Sequence, residues 1–206
     1  MAEAPQDAPA CPLRRLMTVR LLVVVNLVLL AALVALVAAD LRRVHGLPPD
    51  FRVVEPGRLY RSGQPTAEQF AAVIKQYGIR TVLNLRNPDK EANYVDDAPL
   101  AQPYGARVVR LPISSTTPLS AEELSALRAL YGDPRNYPIL VHCEQGHART
   151  GVAVAIWRIE RQGWDPAKAI EDIVASGYPI RQENAQMREL LLHWKAPAEP
   201  AKQSAP

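Results

Sequence analysis

The run LLVVVNLVLLAALVALVAA, residues 21–39, holds one strongly polar side chain, Asn26. A backbone surrounded by apolar groups must satisfy its own hydrogen bonds, so this stretch has to be a helix. A helix of that length is roughly 28 Å long, about the hydrocarbon thickness of a bilayer. No amphipathic pattern interrupts the run and arginines flank both ends, which argues against a buried core helix. The run therefore divides the chain. The expected parts are a disordered tail over 1–20, a single transmembrane anchor over 21–39, a linker over 40–50, a soluble domain over 51–195 and a second disordered tail over 196–206. The rival reading is a cleaved signal peptide. VAA before Asp40 resembles a cleavage site, but the stretch ahead of the run is long for such a peptide. Arg14, Arg15 and Arg20 precede the run and Arg42, Arg43 and Arg52 follow it, so the positive-inside count is close to a tie. The shortness of the N-terminal tail and the arginines nearest the run favour a cytoplasmic tail with the domain on the far side.

MAEAPQDAPACP and KAPAEPAKQSAP, at the two ends, lack the large apolar groups needed to offset ordering entropy. A net charge of +3 without a Lys/Arg run gives no sign of a nucleic-acid partner. The two cysteines are Cys11, in the N-terminal tail, and Cys143. Two thiols so placed exclude a disulfide framework and a cysteine-rich zinc site. Cys143 is then either a buried small hydrophobe, the usual fate of a lone thiol, or a nucleophile.

The domain alternates strand and helix signals. GRLYRSGQP reads as a strand and turn. TAEQFAAVIKQYG reads as a helix with Thr66 and Gln69 in a capping box and Gly78 at its end. IRTVLNL, ARVVRLPI and YPILVHC read as strands, and SAEELSALRALYGD as a second capped helix with Ser120 and Glu123. PDKEANYVDDAPLAQPYG reads as an irregular helix. TGVAVAIWRIERQGW, DPAKAIEDIVASG and ENAQMRELLLHW read as helices, with Trp157 and Trp164 as core residues. The fold class is α/β, a central mainly parallel sheet flanked by helices. Ligand-binding groups of such sheets collect at the carboxyl ends of the strands, where Cys143 and Arg86 fall.

VHCEQGHARTG, residues 141–151, is the link between one strand and an apolar helix. A loop there turns backbone N–H groups inward as an anion nest, and the helix adds its N-terminal amides and dipole. Gly146 and Gly151 relieve steric limits. Such a site binds a tetrahedral oxyanion and favours the thiolate of a cysteine at its base. Arg149 supplies a planar fork for two phosphoryl oxygens. A thiolate below a bound phosphate is placed for in-line attack, with a thiophosphate intermediate. Thr150 is a candidate donor to the departing sulfur, and His142 either orients the loop or simply ends the strand.

HCEQGHARTG resembles the H-C-x5-R-[S/T]-G signature of the cysteine-dependent protein tyrosine and dual-specificity phosphatases. VEPGRLYRSGQPTAEQF, GIRTVLNLR and NYPILVHC are similar to blocks of the atypical plant and fungal dual-specificity phosphatases and their bacterial relatives. The resemblance covers roughly residues 51–179. It implies a protein tyrosine phosphatase-like fold and metal-independent, cofactor-free hydrolysis of phosphomonoesters. Cys143 would be the nucleophile and Arg149 the clamp, with the backbone of Glu144, Gln145, Gly146, His147, Ala148 and Arg149 as cradle. The substrate would be a phosphotyrosine or dual-specificity phosphoprotein, or a small phosphorylated compound, and the location a bacterial inner membrane.

The loop that carries an aspartate general acid in this superfamily should be LPISSTTPLS, residues 111–120, and it has no carboxylate; Ser115 stands where one is expected. Asp96 and Asp97 are candidate replacements, against the plainer reading of a solvated helix face, and Glu144 is a third. Arg61, Arg86 and Arg181 are further cations that would line a pocket, unless they are ordinary structural arginines. Three readings stay open: a phosphoprotein phosphatase, an inositol phosphate or pyrophosphate phosphatase, and a phosphate-binding pseudophosphatase. Sulfur transfer by a rhodanese-like loop fits the Arg-Thr-Gly spacing poorly.

Overall fold

The computed structural model describes residues 12–114, 116–178 and 185–194, and side chains are not described for 12–19 and 39–45. Residues 1–11 of the first expected tail, the whole of the second over 196–206, Ser115 and Arg181 lie outside the described residues, Cys11 among them. The chain forms two units, 1–45 and 46–206.

The first unit holds α1, Pro12–His45, whose segment Arg20–Ala38 is long and apolar enough to cross a membrane. The helix outruns the apolar stretch at both ends. It takes in 12–20, expected as part of a disordered tail, and 40–45, expected as linker. Apolarity marks only the stretch long and apolar enough to cross a membrane, whereas Leu, Arg and Ala continue a helix on propensity alone.

The second unit is built on a five-stranded sheet in the order β1-β2-β5-β3-β4: β1 Arg52–Glu55, β2 Leu59–Ser62, β3 Thr81–Asn84, β4 Arg107–Arg110 and β5 Ile139–His142. The β2–β5, β5–β3 and β3–β4 pairs are parallel, and β1 joins antiparallel at the edge. The three inner strands are buried throughout, on both faces, as strands of a covered parallel sheet are. Their side chains still alternate between faces. Leu59, Leu83 and Val141 enter one core with Leu127, Ile156, Trp157 and Ile173. Tyr60, Val82 and Leu140 enter the other with Phe70, Val73 and Ile74.

Helices α2 (Ala67–Tyr77) and α4 (Ala121–Gly132) begin at the expected capping boxes, Thr66 with Gln69 and Ser120 with Glu123. Gly78 closes α2 in the left-handed conformation. The segment expected as an irregular helix holds one short turn, α3 at Ala98–Ala101, and a 3-10 turn at Gln102–Tyr104; residues 86–97 are loop. Its polar groups are drawn off by an arginine: Arg86 takes both the backbone and side-chain oxygens of Asn93. Helices α5 (Ala148–Gln162), α6 (Pro166–Ala175) and α7 (Ala185–Leu192) complete the unit. Trp157 is core, as expected. Trp164 is only partly buried and lies under the cations of Arg158 and Lys168.

Candidate active site

The last rung of the three inner strands is polar. Ser62, His142 and Asn84 stand in register, and none is exposed. Buried polar groups need partners: the Ser62 hydroxyl donates to the Gly63 carbonyl at 2.7 Å, and one carboxylate serves the other two. Asp97 lies 2.9 Å from His142 Nε2 and accepts from Gln64 Nε2 at 2.8 Å and from Asn84 Nδ2. The other ring nitrogen of His142 is 3.3 Å from the Cys143 carbonyl oxygen. His142 is tied to the carboxylate on one side and to the strand end on the other.

The same geometry corrects the expectation for Asp97. It is on no solvated helix face: it is fully buried and its oxygens are engaged, so it cannot meet a leaving group as general acid. Asp96 is exposed, and its carboxyl accepts from the Ala98 N–H at 3.0 Å and from Arg110. These two partners hold it below the usual carboxylate range, so at neutral pH it carries no proton to give.

The loop from Cys143 to His147 is anchored through its carbonyls. Glu144 O accepts from Gln64 N at 2.9 Å and Gly146 O accepts from Arg61 Nη2 at 2.6 Å. In a trans peptide the following N–H points opposite to the carbonyl. The Gln145 and His147 N–H groups therefore face away from these anchors, which is the construction of an anion nest. Gly146 N–H donates to Cys143 Sγ at 3.3 Å, and the thiol is 2% exposed. Gly146 has φ +85°, and a Cβ there would stand 2.6 Å from Gly63 N, so only glycine fits. The nest passes directly into α5, whose first position, His147, caps with no side-chain bond and leaves the helix amides open to an anion. At Gly151 a Cβ would meet Ile173 of α6 at 3.0 Å, so this glycine serves helix packing. The Thr150 hydroxyl is buried and has no hydrogen-bond partner among the described residues.

Arg149 extends from the first turn of α5 to Glu91 in the loop after β3. Glu91 also accepts from Arg86 Nε at 2.7 Å and from the Asn87 N–H at 2.9 Å. Burial alone would raise the Glu91 carboxyl. Arg149, the Asn87 amide and Arg86 outweigh it and bring it down to about 2. Because the folded value is depressed below the ordinary 4.5, the stabilisation is complete above that pH and is lost as pH falls through about 2. Between those limits the thermal midpoint of the wild type should fall more steeply than that of Glu91→Gln. Parallel curves in a pH series of thermal melts would rule this out.

No spacing rule pointed to Glu91. It was hidden in a segment read as a helix, and its partner Arg149 is 58 residues away. Asn93 lies in the same segment, while Gln64 and Asn84, in stretches that read as strand and turn, meet Asp97 33 and 13 residues away. Arg86, expected as a pocket cation, is 1% exposed and braces Gln64, Glu91 and Asn93; Arg61, at 2%, braces the loop from beneath. A cleft of about 460 Å³ opens beside the loop, lined in part by Arg149, Lys90, Ser114, Glu91, Glu123 and Glu144. Glu144 faces this cleft and accepts from Asn93 Nδ2 at 2.6 Å.

A family model described as "DSP-PTPase phosphatase fused to NAD+ Kinase" matches residues 50–189. The chain is 38% identical over 120 residues to dual specificity protein phosphatase TpbA of Pseudomonas aeruginosa, a match covering 58% of this chain and 51% of TpbA, so it spans about half of that relative. It is 35% identical over 151 residues to inositol diphosphatase DSP5 of Arabidopsis thaliana, covering 69% of each. The crystal structure of P. aeruginosa TpbA superposes with a TM-score of 0.57 at 29% identity, over 69% of this chain and 83% of that one. A second TpbA crystal structure, a complex with pTyr, gives 0.56 at the same identity. The catalytic core of the S. cerevisiae PP-IP phosphatase SIW14 shares the fold, with a TM-score of 0.60 at 21% identity over 72% of this chain and 87% of that one.

Proposed function

The chain belongs to the DSP-PTPase phosphatase family, and from that premise we propose that it hydrolyses phosphomonoesters through a phosphocysteine on Cys143. The observation that carries this reading is the placement of a buried thiol at the base of an amide nest that runs into α5, with Arg149 one turn on. The nest and the guanidinium hold the three equatorial oxygens. The thiolate forms an S–P bond as the ester P–O bond breaks and its electron pair leaves with the oxygen. Water then attacks phosphorus, the S–P bond breaks, and inorganic phosphate departs. Thr150 hydroxyl is the donor for the sulfur in that second step. No metal or other cofactor takes part.

The loop over 111–120 offers no carboxylate, and Asp96 and Asp97 are both engaged elsewhere. The leaving oxygen then takes its proton from solvent, and substrates with acidic leaving groups are favoured. Rates on a series of aryl phosphates, measured with EDTA present, should fall steeply as leaving-group pKa rises. A flat dependence would point to an intact general acid, and a wild type that binds phosphate without turnover would identify a pseudophosphatase.

Glu144 and Glu123 line the cleft against the single lysine Lys90. That balance favours a phosphotyrosine or other aryl phosphate on a protein over a polyanionic substrate. An inositol phosphate or pyrophosphate is the second reading, favoured by the 35% identity to a protein named inositol diphosphatase. We place the domain on the far side of a bacterial inner membrane, anchored by α1. Protease accessibility in intact spheroplasts tests it, and full protection of the domain would overturn it.

A further inference from the structure

Asp50 has φ +49°, the one left-handed backbone conformation among the described non-glycine residues. Such a conformation is kept in an L-residue only where its surroundings impose it, and it points to a role for the side chain. Glycine would hold this backbone more easily, so the carboxylate is what the position retains. Its Oδ1 accepts from Arg52 Nε at 3.1 Å and Nη2 at 2.8 Å. Its Oδ2 is buried, makes no hydrogen bond, and stands 3.5 Å from Arg61 Nη2 and 3.6 Å from His147 Nε2. Both of these side chains belong to the anion loop or its support. Arg61 Nη2 donates to Gly146 O, and His147 is the residue at which the loop becomes α5. The His147 ring in turn lies against Gly177, where a Cβ would come within 3.4 Å.

The backbone around Asp50 makes a second connection to the same place. Pro49 O accepts from Gly63 N at 2.7 Å, and a Cβ on Gly63 would stand 3.0 Å from Glu144 O. Two residues further back, Leu47 O accepts from Gln69 Nε2 at 3.0 Å. Phe51, one residue on, packs on Tyr60 and Tyr77. Residues 47–50 are thus fastened at both ends and touch the loop's support through a carbonyl and a carboxylate.

We propose that residues 47–50 are a strap that holds the anion loop in its binding geometry, and that Asp50 is its positioning residue, acting through Arg61 and His147. The carboxylate offsets the charge of an arginine that is 2% exposed and fixes the imidazole at the loop's exit. The proposal rests on the loop identified above as the phosphatase site, but not on turnover.

The test uses the full chain with Asp50→Asn and Asp50→Gly. Asparagine keeps the shape and tolerates the left-handed backbone; glycine relieves the strain and removes the side chain. Both should speed amide hydrogen exchange in residues 144–148 and weaken inorganic phosphate binding by calorimetry. Both should lower kcat/KM on an aryl phosphate by about tenfold, since small misplacements of a catalytic frame are amplified in rate. The thermal midpoint of Asp50→Gly should stay near wild type. Wild-type exchange and phosphate affinity in both variants would overturn the strap. So would faster exchange spread over the whole unit with a lowered midpoint, the mark of a purely structural role. If the wild type proves inert on aryl phosphates while both variants still loosen 144–148, the phosphatase reading fails and the strap stands.

Discussion

Cys143→Ser is expected to abolish aryl phosphate turnover, by at least about 10⁴-fold in kcat, because loss of the nucleophile removes the covalent route entirely. The environment at this position is made for an anion and not for an alcohol. The sulfur receives the Gly146 N–H at 3.3 Å, in the loop that leads into α5. A serine hydroxyl stays protonated under the same field and needs a general base. The adjacent imidazole cannot act as one: His142 faces Asp97 with one nitrogen and the Cys143 carbonyl with the other. The nest itself does not depend on the sulfur, since its carbonyls are held by Gln64 and Arg61. Inorganic phosphate should therefore bind Cys143→Ser within about threefold of wild type, a change well under one kcal/mol. Kinetics with EDTA present and calorimetry on the same preparation check both halves. Turnover surviving in the serine variant would move the chemistry to another group.

What was legible beforehand divides by sequence distance. The capping boxes at Thr66 and Ser120, the left-handed Gly78, the strand ahead of Cys143 and the helix after it all depend on residues within a turn or two of each other. The phosphate loop is also local, from His142 to Gly151, and could be read whole. The groups that brace it are not. Asp97 reaches His142 across 45 residues and Glu91 reaches Arg149 across 58. A lone Asp or Glu in a polar loop carries no local mark of a distant partner. The loop over 88–97, where the sequence suggests a helix or irregular helix, has the same origin. Arg86 competes for the oxygens of Asn93 and the carboxylate of Glu91, and a buried guanidinium that must satisfy its donors outweighs weak helix propensity. Burial also decides what a carboxylate can do, and nothing in the sequence around Asp97 marks it as buried.

Arg149→Lys is expected to lower kcat/KM by about 10²–10³-fold, the range for removing a preorganised donor from developing charge. Charge is unchanged in this variant, so the effect isolates geometry. The Glu91 contact uses Nη1 of Arg149, which leaves the Nε–Nη2 edge to meet two phosphoryl oxygens in one plane. Glu91 thus fixes the plane of the fork from behind. An ammonium offers three donors about one point and cannot serve Glu91 and two oxygens in that arrangement. The loss should fall on kcat as well as on KM, because the equatorial oxygens spread as phosphorus passes between sulfur and leaving oxygen. Folding should survive, since Glu91 keeps Arg86 Nε at 2.7 Å and the Asn87 amide at 2.9 Å and is not left unpaired. The thermal midpoint therefore separates a damaged site from a damaged fold. If Arg149→Lys keeps kcat/KM within a few fold of wild type at an unchanged midpoint, the side chain acts as a simple positive charge. The bidentate clamp, and Glu91's part in aiming it, would then have to be given up.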